Sequence, residues 1–430
     1  MSDRLRALFV DHLSIPRGKY LPSSKIGDGS SRFARAVFGV HYDRDLLLDA
    51  PYAKVRDGAP DMELRWRADD IRPGWEPNTS VVIGDLFDID GSPLVLCPRG
   101  ALKRAIADWQ KHGLTPKLGI ELEAYALQGG DDGRLRPYDA PGGVVYGTGP
   151  FADPMRINDV IWNKAYEKGF KLDLITAEYD SPQFEYTLSF DDALKAIDEV
   201  ALFRQMAREV ALDHGVILTF LPKPLSEVGG SGMHINFSFW DENGNNALAS
   251  GAQGGPDHLN DLSRGCLAGL IHHHKGLAGL IAPTTGSFRR LQPASMSGYW
   301  QNWGGDHRGV TTRVSSEGGA KARLEHRMAD ASANPYTAAA AVLQAARLGY
   351  EAKRGLPPIE TGDGFDKVDA KTGTADNLRN AVKDLASDTA LADAVGRELV
   401  ENHVFMKERE FRKTRDMEPD ALLDFYVWFV

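Results

Sequence analysis

The stretch Lys117–Leu127, KLGIELEAYAL, places two carboxylates one residue apart within an otherwise apolar run. Side chains alternate across a β-strand, so Glu121, Glu123 and Tyr125 share one face and the apolar residues share the other. Two partly buried glutamates, about 7 Å apart on one face, repel each other unless a cation or a proton neutralises them. A solvated outer face of an edge strand is the alternative, and this stretch alone does not decide between them.

The overall composition limits the classes of function. The chain has 430 residues, of which 42% are hydrophobic and 26% charged, as is typical of a globular protein with two or three domains. Its net charge of -10 argues against nucleic acid or an anionic membrane as the main partner. Local arginines still allow a polyanionic substrate.

The cysteines and the longest apolar stretches bear on the compartment. Cys97 and Cys266 form no C-x-x-C motif, so neither a disulfide framework nor a thiolate metal site is indicated. No stretch approaches 18 consecutive apolar residues. We therefore expect a soluble cytoplasmic protein.

The chain divides by pattern at about residue 98. Residues 1–98 are β-rich: 6–22 predicts two strands joined by a Pro-Arg-Gly turn, and 79–96 predicts a hairpin that turns at Asp90-Gly91. Residues 99–430 mix short strands with long helices, and the C-terminal third is helical. Predicted helices begin at Pro98, at Ser189 as N-cap with acids in the first turn, and at Asn334 as N-cap; glycines 113 and 215 end the first two.

Three further segments predict strands with one apolar face and one polar, chemically reactive face. They are 231–241 (SGMHINFSFWD), 322–330 (ARLEHRMAD) and 176–188 (TAEYDSPQFEYTL), in which Pro182 forces a turn or an edge. If the polar faces converge with that of 117–127, five carboxylates and one imidazole line one cavity. Oxygen ligands with a single histidine suit Mg²⁺ or Mn²⁺ rather than zinc, and two ions would balance the charge. The acids and the imidazole are Glu121, Glu123, Glu178, Glu185, Glu325 and His234.

Arginines near these segments indicate a phosphate or carboxylate substrate, because the guanidinium pairs with such anions in a bidentate manner. They are Arg290, Arg308, Arg313, Arg323 and Arg327. Divalent metals with arginines predict phosphoryl transfer, yet neither a P-loop motif nor the protein-kinase signatures occur. A nucleotide must therefore be held in another way.

Six ordered motifs now resemble those of the glutamine synthetase family: IELEAYAL, AEYDSPQFEY, TFLPKPL with GGSGMHINFS, APTTGSFRRLQP, DHRGVTTRV and KARLEHRMADASANPY. The resemblance implies an α+β fold with a β-grasp domain at 1–98 and a catalytic domain at 99–430, whose antiparallel sheet forms a half-barrel surrounded by helices. It also implies a homo-oligomer of stacked rings with active sites between subunits.

The resemblance assigns roles to individual residues. Glu123, Glu178 and Glu185 match the ligands of one metal, and Glu121, His234 and Glu325 match those of another; two to three Mg²⁺ or Mn²⁺ ions per site are implied. Matches to glutamate-binding residues are Gly230, Arg290, Arg308 and Arg327. Arg308 and Arg313 also match the catalytic pair that contacts the transferred phosphate. Matches to ATP contacts are Asn236, Ser238, Arg308, Arg313 and Arg323.

The departures concern the amine substrate. Ammonia-using members carry a flap glutamate in a Pro-Gly-Tyr-Glu run, whereas this chain has Pro293-Ala-Ser-Met296, and methionine cannot take a proton. With Met296, Trp300 and Trp303 as a candidate apolar pocket, the hypothesis is a γ-glutamyl-amide ligase for an organic amine, similar to the γ-glutamyl-polyamine, -ethanolamine or -alkylamine synthetases. In the family, the aspartate that helps to deprotonate ammonium comes from the N-terminal domain of the neighbouring subunit, and here His41 and Asp43 are the only candidates for that role. Gly229, in place of an asparagine, leaves room for an acid other than glutamate.

The resemblance implies a two-step reaction. ATP phosphorylates the γ-carboxylate, which gives γ-glutamyl phosphate, and an amine then displaces phosphate to leave an amide. Alternatives remain open: a glutamine synthetase that uses ammonia, a carboxylate kinase, or an inactive ring-forming homologue. The run His272–His274 could suggest a metal tract, but consecutive helical residues diverge by about 100°, which favours surface and core positions.

Overall fold

The computed structural model describes residues 3–430, and the protein is of the α+β class with an open rather than closed catalytic sheet. The strands are β1 Arg4–Val10, β2 Pro16–Pro22, β3 Ser30–Ala34, β4 Asp61–Arg65, β5 Arg72–Pro73, β6 Thr79–Ile83, β7 Asp85–Asp88, β8 Thr115–Gly129, β9 Leu135–Pro137, β10 Leu172–Ala177, β11 Gln183–Asp192, β12 Ile217–Thr219, β13 Met233–Trp240, β14 Trp303–Gly305, β15 Thr312–Val314 and β16 Leu324–His326. The helices are α1 Pro98–Gln110, α2 Ile157–Glu167, α3 Ala193–Asp213, α4 Asp261–His272, α5 His274–Ile281, α6 Ser287–Arg290, α7 Pro335–Glu351, α8 Leu378–Ser387, α9 Thr389–Val395, α10 Arg397–Thr414 and α11 Pro419–Tyr426.

The strands form three sheets. Near the N-terminus, a four-stranded sheet has the order β2-β1-β6-β5 with β1 and β6 parallel, and a three-stranded antiparallel sheet has the order β3-β4-β7. The nine-stranded sheet has the order β10-β11-β8-β13-β16-β15-β14, with β9 and β12 also paired to β8. Its neighbours are antiparallel except for the parallel pair β14–β15, which departs from the fully antiparallel sheet expected.

Strand β8 is the centre of the nine-stranded sheet. Its apolar residues, from Leu118 to Ala126 in alternation, are almost fully buried. Helices α1 and α3 pack against this face, and α7 packs against both helices, so the core lies on one side of the sheet. The face that carries Glu121 and Glu123 is turned away from that core. The alternation predicted from KLGIELEAYAL is therefore confirmed.

The first hairpin forms, but its turn was misplaced. The predicted Pro-Arg-Gly turn at 16–18 lies within β2, where Gly18 pairs with Leu8. The chain instead reverses at 11–15, because one carboxylate oxygen of buried Asp11 accepts the backbone N–H groups of Leu13 and Ile15, each at 2.9 Å. An aspartate that caps its own loop is as strong a turn signal as Pro-Gly.

Two other local predictions need correction. The segment 79–96 turns at Asp90-Gly91, but it is not one hairpin: β6 joins the four-stranded sheet and β7 the three-stranded one, and the return consists of a single bridge from Phe87 to Pro93. Ser189 does not cap a helix. It lies in β11, which runs on to Asp192, so α3 begins at Ala193 without acids in its first turn.

The other helix boundaries agree with the sequence. Helix α1 begins at Pro98, and glycines 113 and 215 adopt positive φ just beyond α1 and α3. Asn334 caps α7 by accepting the backbone N–H groups of Tyr336 and Thr337. Of the histidine triplet, His272 ends α4 and is exposed, whereas His273 between α4 and α5 and His274 at the start of α5 are buried, so the three take surface and core positions.

Two apolar clusters fill the molecule. The smaller one is formed mostly by residues below 98 together with Met406 of α10, and the larger one spans the catalytic sheet and its helices. Residues such as Leu8 and Trp75 belong to the larger cluster, so the N-terminal part also packs against the rest. The division at 98/99 stays a prediction. Among the described residues, no helix is both long and apolar enough to cross a membrane.

Candidate active site

The polar faces of four strands meet around β8. Glu123 pairs across the ladder with Glu185 of β11, and Glu121 pairs with His234 of β13. On the far side of β13, Asn236 pairs with Glu325 of β16. Residues opposite one another in neighbouring strands share a face, so the register alone brings these side chains together.

Two groups of side chains have the geometry of metal sites. Ligand atoms of Glu121, His234 and Glu325 lie within 4.8 Å of one another, and so do those of Glu123, Glu185 and His234. The first group has the same members as one predicted metal site. The second contains Glu123 and Glu185 of the other predicted site, but with His234 in place of Glu178. Both ligand assignments stay predictions. Glu178 follows β10 and lies close enough to Glu123 and Arg308 for their charges to act on its pKa.

Hydrogen bonds hold the first group in place. One oxygen of Glu121 lies 3.0 Å from Nδ1 of His234, and the other accepts a hydrogen bond of 3.0 Å from Nδ2 of Asn236. Burial acts to raise the pKa of Glu121, but the hydrogen bonds and charge of these neighbours outweigh it and hold the pKa at about 2. A permanently ionised carboxylate beside a buried histidine is a suitable ligand pair for a divalent cation.

The second group has an excess of negative charge. Burial, followed by the charge of Glu121, raises the pKa of Glu185 to about 7. Burial and the charge of Glu123 raise the pKa of Glu178 as well. Carboxylates that resist ionisation because of their neighbours are stabilised when a cation binds. The residues present therefore fit the divalent metals that the family resemblance implies.

Arg313 of β15 and Arg327, which directly follows β16, form what we call the arginine wall beside the first group of acids. Arg313 donates to Glu325 at 2.9 Å, and Arg327 donates to the other oxygen of the same carboxylate. Burial acts to raise the pKa of Glu325, but Arg327 and His234 outweigh it and lower the pKa. The Nε–H groups of both arginines are buried and have no protein partner. Such donors leave hydrogen-bonding capacity for an anion.

The glycine-rich loop 229–232 crosses the site between an arginine and an acid. A Cβ added at Gly230 would lie 2.5 Å from Cγ of Arg290, so only glycine permits this close approach. Arg290 is buried and donates to the carbonyls of Arg327 and Met328 at 3.1 and 2.8 Å. Gly232 donates its backbone N–H to Glu123 at 2.7 Å. The loop therefore joins the predicted carboxylate-binding arginine to the metal ligands.

Of the predicted ATP contacts, Asn236 and Ser238 lie on the polar face of β13, whereas Arg308 is exposed in the loop between β14 and β15. Ser238 of β13 is buried and accepts the indole N–H of Trp240 at 3.1 Å, while Arg323 pairs with Glu317. The rings of Trp240 and Phe190 lie nearly parallel, with centroids 6.5 Å apart. Trp240 shares the polar face of 231–241 by alternation, whereas Phe190 lies four residues beyond the motif AEYDSPQFEY and has no signal in the sequence that joins it to this face.

The candidate amine pocket is only partly assembled in the single chain. Met296 is 44% exposed and adopts positive φ in the segment after Pro293, and Trp300 is half-buried with an indole N–H that lacks a partner. Trp303 is buried and donates its indole N–H to the carbonyl of Pro357 at 2.9 Å. This bond and its burial give Trp303 a role in core packing, so we omit it from the proposed pocket.

The N-terminal candidates for proton transfer lie against the C-terminal helices. His41 is buried 3.5 Å from Glu410, and Asp43 is paired with Lys413 of α10. The expectation that one of them serves a neighbouring subunit stays a prediction.

Sequence reasoning missed Asp180, which lies beside the glycine-rich loop. One of its carboxylate oxygens accepts the backbone N–H of Gly229. Nearby, Gln183 donates to the carbonyl of Gly230 at 3.0 Å, and Tyr125 donates to that of Gly229 at 3.0 Å. A clue was present in the sequence, because the side chain missing at Gly229 leaves space that another residue must fill.

Comparisons with known proteins bear on the family and the fold of this chain. Residues 95–426 match the family profile described as glutamine synthetase, catalytic domain. The glutamine synthetase of Halobacterium salinarum is 28% identical over 99% of this chain and 93% of its own length. The glutamate–isopropylamine ligase of a Pseudomonas species is 27% identical over 82% of this chain and 78% of its own length. A solved structure of ligand-free GmaS, a γ-glutamylmethylamide synthetase, superposes with a TM-score of 0.83 at 27% identity, covering 97% of this chain and 94% of its own.

Proposed function

The chain belongs to the glutamine synthetase family and is an ATP-dependent, amide-forming ligase, and on that premise we propose that it joins the γ-carboxylate of glutamate to an organic amine. One observation carries the choice of amine over ammonia. The segment Gln292–Gly298, QPASMSG, contains no carboxylate, and Met296 stands where ammonia-using members have their flap glutamate. The relatives that act on isopropylamine and methylamine support the same choice.

The proposed reaction has two steps. A γ-carboxylate oxygen attacks the terminal phosphorus of ATP, ADP leaves, and γ-glutamyl phosphate forms. The neutral amine then attacks the acyl carbon, and phosphate leaves with the bonding electrons while the amine gives up a proton. Phosphorylation is required because a carboxylate is a poor acylating agent.

Some residues of this chain would bind and orient the substrates, and others would neutralise the charge of the transferred phosphoryl group. Arg290 and Arg327 would hold the carboxylates of glutamate, with Gly230 beside the substrate. Arg308 and Arg313 would neutralise the phosphoryl oxygens in transfer, as Arg313 has a buried donor free for them. The ATP would lie along Asn236, Ser238 and Arg323.

Two to three Mg²⁺ or Mn²⁺ ions would be held by the two groups around His234, with Glu178 adjoining the second. When bound, such ions neutralise phosphate charge and polarise the phosphoryl group. The fit rests on the raised pKa of Glu185 and on the 4.8 Å clustering of the ligand atoms.

Members of the family are oligomeric. We propose that this chain also forms stacked rings with active sites between subunits, in which the neighbour's N-terminal residues approach the site. Large apolar side chains are exposed near Glu178, as expected of a surface that another subunit covers. Tyr179 follows Glu178 in the chain, and the backbone N–H of Tyr146 donates to the carbonyl of Ala177; Phe151 lies in the same loop as Tyr146.

Phosphate release tests the proposal. The purified protein is incubated with ATP, Mg²⁺ and L-glutamate, and each reaction receives ammonium, methylamine, isopropylamine, ethanolamine or a diamine. We expect an alkyl or hydroxyalkyl amine to give the highest kcat/KM, with the amide product identified by mass spectrometry. An optimum with ammonium refutes the amine assignment. No ATP turnover with any amine favours the inactive homologue, and acyl phosphate trapped by hydroxylamine without amine preference favours a carboxylate kinase.

A further inference from the structure

We infer that the Asp180 carboxylate binds the α-ammonium group of the acid substrate and makes the enzyme selective for an α-amino acid. The inference rests on the proposed function and names a residue that neither the metal sets nor the arginine wall includes. It concerns the acid rather than the amine, and it addresses the question that Gly229 raised in the sequence.

The first observation is that the side chain of Asp180 lies in the space that a side chain at position 229 would take. A Cβ at position 229 would lie 3.0 Å from Oδ2 of Asp180, 3.8 Å from Oε1 of Gln183 and 4.0 Å from the hydroxyl of Tyr125. A residue larger than glycine at 229 would therefore compete with Asp180 for one space. In this chain the space is occupied by an anion that comes from the turn between β10 and β11.

The second observation is the arrangement of opposite charges along the loop. Asp180 contacts Gly229, and Arg290 packs against the next residue, Gly230. The Cβ and Cγ of Arg290 make this contact, whereas its Nη2 lies beside Gly232, 2.7 Å from the position that a Cβ there would take. The carboxylate and the guanidinium therefore lie near the two ends of the loop 229–232. An α-amino acid carries an ammonium and a carboxylate, and the loop offers a charge of opposite sign to each.

The third observation is how Asp180 is held. The backbone N–H of Gly229 donates to Oδ2, whereas no protein donor bonds Oδ1 among the described residues. Asp180 is only half-buried. A carboxylate accepts hydrogen bonds but cannot donate them, so the free oxygen selects a donor such as ammonium and rejects a second carboxylate. Acids that lack the amino group, such as glutarate, would leave this charge to Lys223 alone, whose ammonium group already donates to the carbonyl of Val228.

Binding measurements test the inference without turnover. Isothermal titration of L-glutamate and of glutarate into the full-length protein, with Mg²⁺ and a non-hydrolysable ATP analogue, gives both affinities for wild type and for Asp180→Asn. Asparagine preserves the shape and the acceptor for Gly229 but removes the charge. We expect the Kd for glutamate to rise about 10- to 100-fold, while the Kd for glutarate changes less than about threefold. Asp173→Asn, in the same hairpin, is the control and leaves both affinities unchanged.

A double-mutant cycle tests the competition for space. Gly229→Asn alone should weaken glutamate binding, because the new Cβ would lie 3.0 Å from Oδ2 of Asp180, closer than ordinary van der Waals contact, and would displace the carboxylate. Adding Asp180→Gly should recover part of that loss, so the two changes are non-additive. Equal losses for glutamate and glutarate in Asp180→Asn, or an unchanged Kd for glutamate, would overturn the inference. A failure of the proposed function can be distinguished from this result, because the wild-type protein would then release no phosphate in response to an amine.

Discussion

At the scale of single residues, Met296 in place of the flap glutamate is the reason we expect an organic amine, rather than ammonia, to accept the acyl group. Met296 lies on an exposed segment and leaves no carboxylate to accept a proton from ammonium. An amine with a carbon skeleton gains instead from burying apolar surface, at about 25 cal/mol per Å². The preference for an organic amine over ammonia therefore depends on the uncharged side chain of Met296, and introducing a carboxylate at this position should reduce that preference.

The substitution Met296→Glu should raise kcat/KM for ammonium by about tenfold or more, because a positioned carboxylate accepts the proton that nucleophilic attack releases. Phosphate release with ammonium and with the best organic amine measures the change. Met296→Gln is the matched control, since it has the same length and the same positive-φ backbone without the charge. If glutamine raises ammonium use as much as glutamate does, proton transfer at this position is not the cause.

Replacing Glu185 by glutamine should raise the stability of the metal-free protein and lower its affinity for metal. Its raised pKa, about 7, reflects burial and like charge, so Glu185→Gln relieves repulsion in the metal-free protein. At pH 8 we expect the metal-free variant to melt at a higher temperature than wild type. Its Mn²⁺ affinity should fall at least about tenfold at one site, because the group with Glu123 and His234 loses a ligand.

Titration calorimetry with Mn²⁺ and thermal melting with a chelator provide the two readouts for Glu185→Gln. Glu242→Gln, on an exposed loop, is the control and should change neither. Unaltered Mn²⁺ stoichiometry and affinity in the Glu185 variant would contradict the assignment of the second metal group.

At the scale of elements, period-two alternation was sufficient to predict the polar faces, whereas local signals misplaced some boundaries. The acids of the active site were predictable because four strands each had one apolar side, and burial of that side fixes the other. The start of α3 was not, because Ser189 resembles an N-cap in sequence while the ladder with β8 keeps β11 extended to Asp192. The contact of Asp180 with Gly229 joins segments 49 positions apart, which no periodicity reveals.

Asn334 shows how one cap can connect two parts of the molecule. It caps α7 and also donates from Nδ2 to the carbonyl of Asp11 at 2.7 Å. Asn334→Ala should therefore lose about 1 kcal/mol from the cap and leave a buried carbonyl without its donor, for a total of about 2–4 kcal/mol. Asn377→Ala removes the cap of α8 and should cost only about 1 kcal/mol, because the second bond of Asn377 goes to the exposed side chain of the adjacent Asp376 rather than to a buried carbonyl. Urea unfolding at equal protein concentration compares them, and equal costs would contradict the second role.

At the scale of the whole molecule, buried histidines set the stability in mild acid. His274 and His403 are buried, and desolvation lowers the pKa of each to about 4 from the ordinary 6.5. Both are neutral when folded but take up protons when unfolded. Their contribution is therefore fully present above about pH 6.5 and is lost as pH falls towards 4, by up to about 1.4 kcal/mol per pH unit for each.

Denaturant unfolding between pH 7.5 and 5.5 checks this dependence, a range in which carboxylates of ordinary pKa stay largely ionised and the titration of Glu185 is common to the proteins compared. His274→Gln keeps a side-chain N–H donor for the carbonyl of Tyr299 but cannot be protonated, so its unfolding free energy should depend less on pH than that of wild type. His214→Gln, at an exposed position, should leave the slope unchanged. A slope that is the same in all three proteins would assign the acid sensitivity to other groups.

The fifteen-residue strand β8 has one last consequence, which concerns how this protein can evolve. Four strands pair with β8. One of its faces packs in the hydrophobic core, and the other carries the acids of the candidate active site. Inserting or deleting a single amino acid there would exchange the faces and place glutamates in the hydrophobic interior. Lineages that diversify the reaction are thus confined to point substitution along this strand, while length variation is left to the connecting loops.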